Sequence, residues 1–159
     1  GNPFVVNTEL WNGTNWTEVN NLSTGRIYLG GCGISTNALA FGGLAGGSDT
    51  AVTNEYNGTA WTGGGNLGTS RRNLSGAGTQ TAGLAFGGAT GPTPAFSSTE
   101  KYDGTAWTAT TSMGTGRGNL AGAGTQAAGL AFGGDPSPGT VATEEYLAES
   151  PATVTISGS

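Results

Sequence analysis

The sequence predicts an all-β chain of tandem repeats, on three observations. The first is spacing. Trp16, Trp61 and Trp107 stand 45 and 46 positions apart, and Arg26, Arg71 and Arg117 keep the same two intervals. So do Phe41, Phe86 and Phe132, each followed by Gly-Gly, while Trp11, Tyr56, Tyr102 and Tyr146 follow at 45, 46 and 44. Four ladders in step are no product of composition, and a period of roughly 40–50 residues belongs to solenoids, propellers and arrays. The second is turn chemistry. Asn12-Gly13, Asn57-Gly58 and Asp103-Gly104 each fall between the aromatic of one ladder and the Trp of another. These dipeptides tolerate positive φ at both central positions, so they predict two-residue hairpin turns. The third is that no window combines helical periodicity with good helix formers.

Within one unit the elements follow in order. LSGAGT (74–79) and AGLAFGG (82–88) read as first and second strands. They are rich in Gly and Ala, poor strand formers, and Gly inside a strand marks close approach of another backbone or a ligand. A third strand ends at the ladder aromatic, and a short fourth runs to the Trp, as in 59–61. Four strands per unit make one blade of a β-propeller, whose innermost strands crowd a central axis where small residues fit. The chain opens in mid-unit with a half-blade in 1–22, formed by a third strand over 4–11 and a fourth over 14–17. Blades follow at 26–66, 71–112 and 117–157. After Tyr146 the pattern changes: LAESPATVTISGS replaces Asp-Gly and Trp, with Val154 and Ile156 alternating with Thr as in an edge strand. The expectation is that Trp16, Trp61 and Trp107 occupy equivalent buried positions between neighbouring sheets. Trp61→Ala would then cost about 3–5 kcal/mol.

The pattern Arg…Leu…LAFGG…TExYDGTAW resembles a kelch repeat, with its Gly-Gly doublet, spaced Tyr and Trp, and basic residue. The wording GTAWT…NLGTSRRNLSGAGTQTAGLAFGG is similar to a subtype common in tail and virion proteins of bacteriophages. The resemblance covers nearly the whole chain. It implies kelch-type propeller blades in a virion or extracellular setting, within a tail appendage that contacts a host surface. Other copies, other virion or tail proteins, or a host glycan or receptor are the partners it implies. The fold alone does not choose among these, because propellers host unrelated activities.

Closed propellers use about four to eight blades, and three blades with a half-blade form an incomplete ring unless more chain or other copies complete it. If the tail supplies a half-blade, identical chains in a ring leave one half unpaired per copy. If it does not, the opening half completes a neighbour's last blade and permits a six-bladed ring of two chains. Gly1 is not an initiating Met, so the expectation is a chain processed or cut from something longer. The inner edge of the strand over 4–11 has few charges to blunt it, since Glu9 and Glu18 are the only ones before Arg26. Unpaired edges are liabilities that native sheets cover, so another chain or further blades are expected there.

Composition narrows the chemistry. Thirty-two glycines and 9% charged residues fit a disordered low-complexity chain as well,, but disorder has no need of fixed ladders. A net charge of −5 leaves no basic footprint for a phosphate backbone,, so no nucleic acid is expected. The apolar runs are far short of a membrane span, so no membrane insertion is expected. The absence of histidine removes Ser-His-Asp and Cys-His nucleophiles, and most zinc and copper sites. Cys32 has no second cysteine to pair with and aligns with Ala77 and Ala123, which makes it a small inner-strand residue,. The Gly-Ala-Gly triplets at 76–78 and 122–124 lack the Gly-Lys-Ser/Thr and the helix of a phosphate loop, so close packing explains them. No catalytic residue, cofactor or metal is expected, and neither hydrolase activity nor stoichiometric zinc.

Two repeated features invite a binding role. Arg26, Arg71 and Arg117 recur with Glu9, Glu100 and Glu144 two positions before the ladder aromatic, Asn54 taking that place in one unit. They are either a ring gripping an anion or a structural clamp. Repetition of both partners favours the clamp, which suits the planar fork of Arg. Asn12, Asn15, Asn21, Asn57 and Asn73 begin glycosylation sequons, but Asn12 and Asn57 are replaced by Asp103 in the next unit, so turn chemistry explains them. The loops 44–50, 89–98 and 135–140 differ between units and fall on one face, where binding residues usually lie on a rigid scaffold. Asp49, Pro94, Phe96 and Asp135 are the contact candidates, with Phe96, beside Pro92 and Pro94, foremost unless it folds back on its blade. The function expected is a non-enzymatic structural and binding module. The alternative is a propeller lectin stacking sugars on exposed Trp or Tyr, and exposure of the ladder aromatics discriminates the two.

Overall fold

The computed structural model describes residues 4–91, 95–135 and 143–148, and the described residues form antiparallel β-structure without a helix. A two-stranded sheet opens the chain, β1 (Thr8–Trp11) with β2 (Trp16–Val19). Next comes a four-stranded sheet of β3 (Gly30–Ile34), β4 (Asn37–Phe41), β7 (Thr53–Tyr56) and β8 (Trp61–Gly63), in that order. Between its middle strands lies a ribbon of β5 (Leu44–Ala45) and β6 (Ser48–Asp49). A second four-stranded sheet takes β9 (Arg72–Thr79), β10 (Ala82–Ala89), β11 (Thr99–Tyr102) and β12 (Trp107–Thr110) in order. The last has β13 (Ala121–Gly124), β14 (Ala128–Phe132) and β15 (Thr143–Leu147). None of these sheets closes on itself.

The same cross-strand pair ends each hairpin: Trp11 opposite Trp16, Tyr56 opposite Trp61, Tyr102 opposite Trp107. Their rings lie 5.5, 5.0 and 4.9 Å apart. The turns between them are not the two-residue turns expected. Four residues separate Tyr56 from Trp61, and Asn57 keeps an ordinary φ while Gly58 alone is left-handed at 88°. The reason lies in the side chain: Asn57 Oδ1 accepts from the amides of Thr59 and Ala60 at 2.9 and 2.8 Å. Asn12 and Asp103 do the same in their hairpins, the Asx geometry that Asn and Asp favour. The fourth strand therefore starts at the Trp rather than before it. The two-residue turn with positive φ at both positions occurs instead at Gly46-Gly47, in the β5–β6 ribbon,.

Neighbouring sheets join through their first strands, and glycine makes the joint possible. A Cβ on Gly76 would sit 2.5 Å from Phe41 Cζ and 3.1 Å from Gly31 O. One on Gly122 would sit 2.3 Å from Phe86 Cζ and 3.0 Å from Gly76 O. Asn73 N donates to Tyr28 O and Asn119 N to Asn73 O, both at 2.8 Å, through residues held left-handed at φ 60, 57 and 54°. Side chains reach back as well: Gln80 Nε2 donates to Tyr56 O at 2.6 Å, and Gln126 Nε2 to Tyr102 O at 2.6 Å. Two core clusters result, one around Phe41, Leu74 and Trp107 and one around Leu84, Phe86 and Leu120.

The three tryptophans are equivalent in position but not in burial, which corrects the expectation. Trp107 is 8% exposed and Trp16 is 65% exposed, with Trp61 between them. Each indole lies on the preceding sheet. Trp107 meets a full sheet, its ring 5.0 Å from Phe41 and its Nε1 donating to Thr53 Oγ1 at 2.9 Å. Before Trp61 lies only the two-stranded sheet of β1 and β2, and its Nε1 donates to Thr8 Oγ1 of β1 at 3.0 Å. Trp16 is the exception to that placement, because among the described residues no sheet lies before it.

The opening half behaves as an ordinary unit where its neighbours exist. Leu22 N and Arg26 N donate to Val6 O and Val5 O, as Leu67 and Arg71 do to Ala51 and Thr50. Among the described residues β1 has no strand on the side where β4 lies beside β7. At the other end the tail does supply a third strand, β15. In that sheet β15 lies beside β14, the place that β1 would take in a neighbour's last sheet by that exchange. The fourth strand expected within 149–157 lies outside the described residues.

Candidate functional site

The arginine ladder is a clamp. Arg71 is fully buried, and its Nη1 donates to Gly87 O at 3.1 Å and Ser98 O at 3.0 Å. Its Nη2 meets Glu100 Oε1 at 2.8 Å, while Glu100 Oε2 accepts from Gly68 N at 2.7 Å. Arg117 repeats this with Gly133 O and Glu144. Arg26 does so with Gly42 O, Val52 O and Asn54 Oδ1, the last at 2.6 Å. Burial lowers the pKa of Arg71, and the Glu100 carboxylate opposes that shift; Arg26 is lowered by burial with a neutral partner. The arginine backbone extends the clamp to the preceding sheet, because Gly43 N donates to Arg71 O and Gly88 N to Arg117 O at 2.8 Å. The receiving glycines are left-handed at φ 102 and 94°, so the Gly-Gly doublet is a backbone requirement,. Arg26, Arg71 and Arg117 are thus buried and direct their Nη groups to backbone carbonyls and to Asn54, Glu100 and Glu144.

The contact candidates are woven into loop roots. Asp49 pairs with Arg72 at 3.2 Å and accepts from Gly91 N at 3.1 Å, which ties loop 44–50 to the start of loop 89–98. Phe96 is half-buried, its N donating to Gly88 O and its O accepting from Arg117 N. Asp135 bridges Gly118 through the backbone and accepts from Asn119 Nδ2 at 3.0 Å. Pro94 lies outside the described residues. Asp49, Phe96 and Asp135 have separate partners and are not brought together into one site.

Other polar groups serve the joints too. Tyr102 donates to the Glu55 carboxylate of the neighbouring sheet, and burial together with that bond pushes its hydroxyl up to about 12. Among the described residues no three His, Cys, Asp or Glu side chains gather as metal ligands, and no helix is long and apolar enough to cross a membrane. Cys32 is half-buried, its thiol directed at Thr79 O of the next sheet and pushed up to about 11 by burial. Because the thiolate is the reactive form, alkylation at pH 8 is expected to be on the order of 100-fold slower than for a free thiol. The rate should climb with pH throughout the alkaline range. A rate equal to that of a free thiol would contradict this placement.

Sequence reasoning overlooked two features. One is the Gln ladder, signalled by the repeated Gly-Thr-Gln at 78–80 and 124–126. The other is a cavity of about 300 Å³ between the last two sheets, with Leu84, Phe86 and Thr99 on one side and Met113, Leu130 and Tyr146 on the other. Its only sequence signal is the tryptophan missing after Tyr146. No protein-family model matches the chain, and no curated protein matches it.

Proposed function

We propose that the chain is a run of kelch-like propeller blades acting as a non-enzymatic structural and binding module of a phage-like virion or tail appendage. The observation that carries this is where the recurring polar groups go. Arg26, Arg71 and Arg117, with Glu100, Glu144, Gln80, Gln126, Tyr102 and Tyr146, bond within a sheet or to its neighbour, which is the economy of a scaffold rather than of a reaction centre. Other copies, other virion or tail proteins, and a host surface are its partners. Immunogold microscopy tests this. Antibodies raised against the chain should decorate the tails of particles purified from a culture that encodes it, and particles left bare by antibodies that bind the free chain would overturn it.

A second reading, a carbohydrate-binding lectin, is favoured by one observation. Trp11 and Trp16 are 48% and 65% exposed with ring centroids 5.5 Å apart and planes tilted by 43°, a pair of accessible aromatic faces of the kind sugars pack on,. Binding on a glycan array that Trp16→Ala abolishes would establish it. On the scaffold reading the array stays blank.

A further inference from the structure

We propose that the cavity between the last two sheets is a tryptophan socket, and that it receives the tryptophan of an extended strand added beside β15. One repeat earlier the same socket is full. There Trp107 lies against Phe41 and Tyr102 and donates to Thr53 Oγ1, with Leu39 and Leu67 in the same cluster. The residues one repeat on are Phe86, Tyr146, Thr99, Leu84 and Met113, and all five line the cavity. What is missing is the indole. Tyr102 is followed by Asp-Gly-Thr-Ala-Trp, whereas no aromatic residue follows Tyr146 in the chain.

A strand edge lies beside the socket. Trp107 reaches its place because β12 pairs with β11, setting Trp107 opposite Tyr102. β15 stands where β11 stands, with β14 on one side and, among the described residues, no strand on the other. A strand added there in the same register sets one residue opposite Tyr146, over the cavity. Backbone pairing at a sheet edge plus one side-chain pocket is a recurring way to bind an extended peptide. The volume of about 300 Å³ is at the scale of small-molecule pockets and holds an indole,. The buried Thr99 supplies the hydroxyl that Thr53 offers to Trp107. The occupant is thus a strand of the type this chain itself uses, Gly-Thr-Ala-Trp-Thr (104–108). The register puts the residue after the Trp opposite Glu145, as Thr108 is opposite Lys101, so a neutral or basic residue suits that place. This inference rests on the repeat geometry and not on the proposed function.

Calorimetric titration of the full chain tests it, with the capped peptide Asp-Gly-Thr-Ala-Trp-Thr-Ala-Thr-Thr as probe. One peptide is expected to bind per chain. The same peptide with Ala in place of Trp should bind at least ~30-fold more weakly, as for a central anchor residue. Thr99→Val, which keeps the side-chain shape, should weaken the Trp peptide several-fold without changing the melting temperature of the free chain. Equal binding of the two peptides overturns the socket. Free indole binding as tightly as the peptide overturns the strand. No binding up to about 1 mM peptide, the weak end of specific affinities, overturns the proposal.

Discussion

Trp107→Ala is expected to destabilise the chain by about 3–5 kcal/mol, the usual cost of truncating a buried aromatic, while Trp16→Ala changes stability by no more than ~0.5 kcal/mol. The two residues occupy the same place in their units, opposite the ladder aromatic of the same hairpin. They differ in what lies beneath them. Trp107 is packed on Phe41 and bonded to Thr53, so its removal opens a void among close-packed residues. Trp16 stands 65% exposed, with no sheet before it among the described residues. Trp61→Ala falls between them, because Trp61 covers a sheet of only two strands. Urea unfolding of the three variants measures the series. Three equal losses would show that burial within the hairpin, and not the joint between sheets, is what the tryptophan contributes.

Arg71→Met is expected to cost about 3–5 kcal/mol, because it leaves Glu100 as a buried charge without its partner. Arg71 and Glu100 are 0% and 6% exposed, so water does not replace what is lost. The double variant Arg71→Met with Glu100→Gln should be more stable than Arg71→Met alone, since it removes the stranded charge. Arg26→Met should cost less, about 1–3 kcal/mol, because its partner is the neutral Asn54. A double-mutant cycle on Arg71 and Glu100 isolates their coupling. An arginine kept for gripping an anion would show a small stability loss and near-zero coupling.

The ladders made the sheets legible, because residues that must meet between sheets recur at the spacing of the sheets. The clamp was legible for the same reason, with Arg and Glu repeating together. Burial of the tryptophans was not, since it depends on whether a sheet precedes, which is a property of position in the array and not of the residue. The hairpin turns were misjudged because Asn57 and Asp103 work through a side-chain acceptor rather than through positive φ. The backbone of Phe96 is tied to Gly88 and Arg117, a placement its position beside Pro92 and Pro94 did not foretell. The cavity left only a negative trace, a tryptophan that does not appear.

The joint between sheets also limits the symmetry of any assembly built from it. Each four-stranded sheet presents an indole on one side, Trp61 or Trp107, and a Phe-Thr pair on the other, Phe41 with Thr53 or Phe86 with Thr99, so the two faces are different. A surface of this kind cannot meet its own copy across a twofold axis, because indole would face indole. Copies that share the joint must stack head to tail, a heterologous contact. Such contacts close into a ring when the rotation per step divides the circle, and otherwise run on as a helical filament. That rotation is set where Gly31, Gly76 and Gly122 let successive first strands approach.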